Sequence, residues 1–436
     1  MPKKTIGVVG MGYVGLTLTA ALARAGNIVH GVDVQPAVLD SLSRGHPHIF
    51  EPGVEEVFAE HVGSSILIGT RLPRKGLDAA VICVSTPIDP GTQEPNLTYL
   101  AAAATDIAQW CGPETVVVVR STVPIGTSRT VVLPPLLAAW GRARVAMAPE
   151  RTIQGQALRE LVELPQVVGG LDEESLAAAV EVFGALATQI VPVSSLEAAE
   201  MVKLSNNCHT DLIYSFGNEL ALIAEGHGLD PLEVIQAANL DYPRPDLAKP
   251  GYVGGGCLSK DPYIMINSAV GREPFLVSRA RALNEYLPEH VAQTVVEMVR
   301  EHCGAVCGAS LSVLGWAYKG WPATDDMRGT PIATMMPVFA EVGLTVLGHD
   351  PIVSDGVIRQ YGGEPVSLDK ALSKADGVLI INDHPDYRGL PVDTRLAGSR
   401  TKFVYDSWRI VDESAVRAAG VEYAGLGYRP GIGASA

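Results

Sequence analysis

A chain of 436 residues with 47% hydrophobic and 19% charged residues carries enough apolar material for two or three buried cores, which excludes a disordered or low-complexity protein. No apolar run reaches the length of a membrane span, and the N-terminus runs straight into a strand-like segment instead of a cleavable signal, so a cytoplasmic protein without a membrane partner is expected. A net charge of −15 excludes general nucleic-acid binding, and six scattered cysteines without a Cys-x-x-Cys pair indicate neither a disulfide framework nor a metal site.

Thr5 to Val9 reads as a buried strand. Gly10, Gly12 and Gly15 follow in the spacing Gly-x-Gly-x-x-Gly, then a helical pattern from Leu16 to Ala25 and a second strand ending at Asp33. This strand–turn–helix–strand order is what a dinucleotide fingerprint requires. The first glycine makes the tight turn, the second admits the pyrophosphate, and the third lets helix and strand pack closely. Gly10, Gly12, Tyr13, Val14 and Gly15 are therefore candidate cofactor residues, with the phosphates on the helix N-terminus. Asp33 stands at a strand end, placed to accept ribose hydroxyls, and no Arg or Lys follows it, so NAD is favoured over NADP.

Two further strands, Ala79 to Val84 and Thr115 to Val119, end in hydroxyl-bearing turns at Thr86 and Thr122, which should face the cofactor. A third segment, Val145 to Ala148, leads into Glu150 and Arg151. A carboxylate there could serve as acid or base, could orient water, or could be an ordinary solvated loop acid. His46 and His48 lack the further spaced ligands a metal site needs.

Ser194 and Glu197 fit a capping box that opens a long helical pattern to about Ala224. On it Leu204, Cys208, Leu212, Phe216, Leu220 and Ile223 keep helical spacing, as core or dimer-seam residues. Lys203 and Asn207 lie four apart and share a face. A second helical stretch runs from Leu276 to His302. Between the two lies an irregular, non-helical loop in which Gly254, Gly255 and Gly256 precede Cys257, with Lys260 and Asp261 just after it. A free thiol with pKa about 8.5 is only a few per cent ionised at pH 7, and a nearby ammonium such as Lys260 would lower that value. The alternative is a buried structural cysteine in a glycine-rich turn.

From Ser310 the strand–turn–helix logic restarts, without a Gly-x-Gly-x-x-Gly, so a second NAD is not expected. Lys319, Arg328 and Arg409 sit at or after strand ends, where a phosphate-bearing ligand would lie. The fold class is thus α/β: a dinucleotide-binding domain over residues 1–194, an all-helical middle domain over 195–302, and a second nucleotide-type α/β domain over 303–436. The tail from Gly431 to Ala436 is expected to be disordered.

Taken together, the fingerprint, Pro149 to Gln156, the Lys203/Asn207 pair, the Cys257 loop and the C-terminal cations resemble the UDP-glucose/GDP-mannose dehydrogenase family over nearly the whole chain. The resemblance implies oxidation of the C6 hydroxymethyl of a nucleotide sugar to a carboxylate with two NAD. His46 to Pro52 and Pro149 to Gln156 look most like the branch that oxidises UDP-N-acetylhexosamines, notably UDP-N-acetylmannosamine. The spelling Tyr252 to Gly256 and the Ser407-Trp408-Arg409 run depart from that branch, which leaves UDP-glucose and GDP-mannose as alternative substrates. Carried over residue by residue, Cys257 would be the nucleophile that passes through a thiohemiacetal and a thioester. Lys203 and Asn207 would stabilise charge on oxygen. Asp261 and Thr122 would hold or activate water, and Glu150 would serve in hydrolysis. Glu150, Arg151, Lys203, Asn207, Gly254, Gly255, Gly256 and Lys260 would surround the sugar. Lys319, Arg328 and Arg409 would bind the UDP half. Arg244 would reach toward a partner subunit's site, making the middle helices a homodimer interface. A single-step hydroxyacid dehydrogenase would need neither the cysteine nor the third domain, and a non-catalytic sugar-nucleotide sensor would have no use for the complete set of reactive residues.

Overall fold

The β-branched and small apolar runs of the first third build one sheet, and those of the last third build another. In the computed structural model, residues 3–243, 245–272 and 274–429 are described, in two compact units: residues 1–207 with 263–273, and residues 208–262 with 274–436. Arg244 and the tail from Gly431 to Ala436 lie outside the described residues.

The first unit is organised by eight strands: β1 (Thr5–Val9), β2 (Ile28–Val32), β3 (Ile66–Gly69), β4 (Ala79–Ile82), β5 (Val116–Val119), β6 (Arg144–Met147), β7 (Gln166–Gly170) and β8 (Ile190–Val193). Their order is β3-β2-β1-β4-β5-β6-β7-β8, parallel throughout except for the antiparallel β6–β7 pair. A parallel sheet is covered on both faces. Val116, Val117, Val118 and Val119 accordingly divide alternately between two separate apolar clusters. The strand order reverses between β1 and β4, and ligands of such sheets bind beyond the carboxyl ends at that point.

The second unit carries β9 (Ser310–Leu314), β10 (Thr345–His349), β11 (Glu364–Pro365), β12 (Gly377–Ile380), β13 (Phe403–Asp406) and β14 (Glu422–Ala424), ordered β11-β10-β9-β12-β13-β14 and all parallel. This repeats the arrangement of the first six strands. The echo reaches atomic detail. Gly10 N donates to Val32 O and Gly315 N to His349 O, both at 2.9 Å. Met11 N donates to Asp33 Oδ2 at 2.8 Å and Trp316 N to Asp350 Oδ2 at 2.6 Å.

The helical middle is built mainly of Leu196–Gly226, Pro231–Asn239 and Phe275–Cys303. The first starts one residue later than the capping-box spacing implies, because Ser195 Oγ accepts from Ala198 N at 3.1 Å. Leu204 and Cys208 on this helix are buried, while Ile213, Phe216 and Ile223 are exposed, so its apolar positions split between a core face and an open stripe. Among the described residues no helix is long and apolar enough to cross a membrane.

Candidate active site

In the first unit, the fingerprint turn has the form its glycines dictate. Gly10 adopts φ 93°, which side chains disfavour, and a Cβ on Gly15 would stand 1.9 Å from the Gly10 carbonyl oxygen. Nothing lies within 4 Å of where a Cβ of Gly12 would be, so a ligand can approach that backbone. Asp33 is fixed by two amides, Met11 N on Oδ2 at 2.8 Å and Gln35 N on Oδ1 at 2.9 Å. Each oxygen keeps a lone pair for a ribose hydroxyl. These features fit NAD on observations of the backbone itself. Replacing Asp33 by alanine is expected to weaken NAD binding by on the order of ten- to a hundredfold, the worth of charged hydrogen bonds. A fluorescence titration measures this, and unaltered affinity would place the ribose elsewhere.

Tyr13 is fixed by a buried carboxylate. Its hydroxyl donates to Glu51 Oε2 at 2.8 Å, and burial, with Glu51 next, pushes its pKa far up. Glu51 also accepts from Gly155 N and Ala157 N, both at 2.7 Å. The His46–Pro52 and Pro149–Gln156 stretches are thus tied to each other through one buried carboxylate. Thr86 Oγ1 donates to Thr122 O at 2.6 Å, which joins the turns after β4 and β5.

Glu150 is buried, and its carboxylate is almost fully engaged. Oε1 accepts from Arg151 N and Thr152 N, both at 2.7 Å. Oε2 accepts from Arg120 Nε at 3.0 Å and from Arg120 Nη2. Arg120 is itself held by Ala148 O and Gln166 Oε1 through Nη1 at 3.1 and 3.0 Å. Burial favours the protonated acid, but Arg120, the Thr152 amide and Lys203 together outweigh it and hold the Glu150 pKa below the usual carboxylate range. Such a group is a weak base and a good permanent anion. Lys203 is buried, so Glu150 is a counter-charge for it. Arg151 donates through Nε to Asn206 Oδ1 at 3.2 Å and through Nη1 to Pro165 O at 3.2 Å. Asn207 is half-buried one helical turn after Lys203.

The expectation of a non-helical cysteine loop is corrected: in the second unit Gly255–Leu258 forms one helical turn, and the helix Asp261–Ser268 that follows has its first two residues in this unit and the rest in the first. The reason for three glycines is what packs on them. A Cβ on Gly254 would meet Gly329 O at 2.2 Å, one on Gly255 the Tyr318 ring at 2.8 Å, and one on Gly256 the Arg328 guanidinium at 2.5 Å. Cys257 is exposed at the end of this run. The turn is anchored from behind by a buried polar chain. Arg281 Nη1 donates to Leu258 O at 2.8 Å and to Asp211 Oδ1 at 2.7 Å. Asn284 Nδ2 donates to the same Asp211 oxygen at 2.9 Å, and Asn218 links Asn284 to Gly251 N. Asp261 is fully buried, with Lys260 Nζ on its Oδ1 at 2.7 Å.

Of the C-terminal cations, Arg409 adopts φ 53° and is held by Asp230 and Glu413, with its guanidinium 3.9 Å from the Tyr428 ring centroid. Lys319 lies over the Tyr318 ring at 5.5 Å. Arg328 makes three bonds to Asp326. Reasoning from sequence missed Arg120, Gln166, Glu51 and Arg281. The signal for the first was an arginine directly after a four-valine strand, where a buried cation needs a buried anion.

The NAD binding domain model of the UDP-glucose/GDP-mannose dehydrogenase family matches residues 4–187, its central domain residues 197–286, and its UDP binding domain residues 312–413. The UDP-N-acetyl-D-mannosamine dehydrogenase of Pyrococcus horikoshii is 31% identical over 97% of this chain and 99% of its own. A solved structure of UDP-D-ManNAc dehydrogenase from that organism superposes with a TM-score of 0.88 at 30% identity, covering 97% of this chain and 99% of the other. An NDP-N-acetyl-D-galactosaminuronic acid dehydrogenase of Ralstonia nicotianae is 31% identical over 89% of this chain and 93% of its own.

Proposed function

Because this chain belongs to the UDP-glucose/GDP-mannose dehydrogenase family, we propose that it oxidises C6 of UDP-N-acetylmannosamine, or a close UDP-N-acetylhexosamine, to the acid through a thioester on Cys257. It is an NAD-dependent oxidoreductase of nucleotide sugars. The likeness to the Pyrococcus enzyme across both chains supports the sugar.

NAD, when bound, supplies the hydride acceptor, one per oxidation and two per sugar. The protein's residues do the rest. Gly12 and Asp33 hold the cofactor's phosphates and ribose. After the first two-electron loss the sugar carries an aldehyde at C6. The Cys257 thiolate adds to it, forming a C–S bond as the carbonyl electron pair moves onto oxygen. Lys203 and Asn207 donate to that oxygen, where charge develops. Loss of a second hydride leaves a thioester. Water then breaks the C–S bond, releasing the carboxylate and returning sulfur to Cys257. Glu150, already carrying four hydrogen bonds and a depressed pKa, serves as a fixed anion beside Lys203 instead of taking a proton from water. Asp261 and Thr122 are the residues left to orient that water. Lys319 and Arg409 serve the pyrophosphate, with Arg409 exchanging Asp230 or Glu413 for ligand oxygen.

The exposed Ile213, Phe216 and Ile223 stripe supports a homodimer through the long helix. An NADH assay over UDP-N-acetylmannosamine, UDP-N-acetylglucosamine, UDP-N-acetylgalactosamine, UDP-glucose and GDP-mannose tests the whole reading. Two NADH per sugar, with the highest kcat/KM on UDP-N-acetylmannosamine, is the expected result. One NADH per sugar would remove the thioester, and a preference for UDP-glucose would move the assignment to another branch.

A further inference from the structure

We propose that Arg328 holds Cys257 as its thiolate, so that the nucleophile is charged before an aldehyde forms. This rests on the reading of Cys257 as the nucleophile and adds the group that activates it.

The guanidinium occupies the side-chain space of the residue just before the cysteine. A Cβ on Gly256 would stand 2.5 Å from both Cζ and Nη1 of Arg328. The backbone fixes the same approach, since Gly255 N donates to Arg328 O at 2.8 Å. The orientation of the fork is set too. Nε and Nη2 are engaged by the Asp326 carboxylate, which also accepts from Arg328 N at 3.0 Å. Nη1 bonds to no group among the described residues, and it is the nitrogen that lies over Gly256. The charges of Arg328 and Cys257 act on one another.

The other groups around Cys257 do not replace it. Lys260, the obvious cation from sequence, directs its ammonium to Asp261 at 2.7 Å. The Tyr318 phenol, which also feels Cys257, is pushed far up by burial and then by Asp326, so it stays neutral beside a thiolate. Asp326 opposes the thiolate, but it is bound on the Nε and Nη2 side of the fork, while Nη1 is the nitrogen that faces Gly256. A guanidinium does not titrate in the working range, so the stabilisation is constant with pH, unlike that of a lysine. The thiol proton leaves to bulk water.

The experiment is peptide-resolved iodoacetamide labelling of Cys257 in the full chain without sugar, from pH 5.5 to 10, with the exposed Cys303 and Cys307 as internal references. In Arg328→Met the pH midpoint for Cys257 is expected to rise and its rate at pH 7 to fall roughly three- to tenfold, the range of a partly exposed charge pair. Arg328→Lys should recover most of the loss. Asp326→Asn should shift the midpoint the other way, downward, because it removes the anion competing for the fork. A loosened loop would move both variants in one direction, and that result overturns the proposal. So does a profile of Arg328→Met that overlays the wild type, which would leave Arg328 as a ligand-binding group only. These readouts do not depend on turnover, so they stand apart from the fate of the thioester reading, which an active Cys257→Ser variant would defeat by itself.

Discussion

Serine in place of Cys257 is expected to stop net formation of the acid, lowering steady-state NADH production by on the order of a thousandfold or more, as removal of an essential nucleophile does. The substitution changes one atom on an exposed side chain, so the fold has no reason to respond. A serine hydroxyl is a weak nucleophile unless a base takes its proton. The groups near the cysteine turn do not offer one: Asp261 is buried against Lys260, and Asp326 is engaged by Arg328. The first oxidation needs no nucleophile, so the variant is expected to release at most one NADH per site before it stalls with the sugar at the aldehyde level. Rapid-mixing absorbance at 340 nm distinguishes this burst from turnover. NAD affinity should not change, because the substitution leaves Gly12 and Asp33, the residues proposed to hold NAD, as they are. Ordinary turnover by the serine variant would eliminate the covalent mechanism and return the cysteine to a structural reading.

What could be read from the sequence was whatever short-range geometry determines. Gly10, Gly12, Gly15 and Asp33 fall within one strand–helix–strand unit, and each glycine has a local reason visible from spacing alone. The recurrence of that unit after Ser310 was legible for the same cause, although the second copy replaces the Gly12 position with Ala317 and keeps the turn glycine, the glycine five residues on and the strand-end aspartate, Gly315, Gly320 and Asp350. The cysteine turn shows the opposite case. Three consecutive glycines pointed to a loop, because glycine is a poor helix former. Their actual cause is the crowding by Gly329, Tyr318 and Arg328, residues more than sixty positions away that no local pattern exposes. Lys260 was near in sequence, but its partner is the adjacent aspartate, while Arg328 approaches from a loop after β9. Glu150 was legible as a chemically active position at a strand end. Its true condition, a carboxylate gripped from all sides, depends on Arg120, which is 30 residues distant, and on Gln166, which is 46 residues from Arg120.

That grip is the basis of the second large effect. Removing the Arg120 charge by substitution to methionine is expected to destabilise the first unit by about 3–5 kcal/mol, because it leaves a buried carboxylate without its partner. Arg120 is 1% exposed and the Glu150 side chain 8%, so solvent does little to replace the lost cation. The loss also frees the Gln166 amide oxygen and the Ala148 carbonyl from their donor. Against a total stability of about 5–15 kcal/mol for a typical domain, this is a large fraction. The pH dependence has a definite sign. In the wild type the folded-state pKa of Glu150 is depressed, so its contribution is present above the unfolded carboxylate value and is lost as pH falls through the folded value. Without Arg120, burial dominates and the Glu150 pKa should rise instead. The methionine variant can then relieve its strain by protonating Glu150, so the stability gap to the wild type should narrow as pH is lowered from 7 toward about 4, the range in which a glutamate titrates. Urea unfolding at both pH values measures the gap. Arg120→Met combined with Glu150→Gln should recover part of the stability at pH 7 but not activity, since Lys203 loses its counter-charge. Equal stability of Arg120→Met and wild type at pH 7 would mean that water reaches this carboxylate, and the account of Glu150 as a fixed anion behind Lys203 would fall with it.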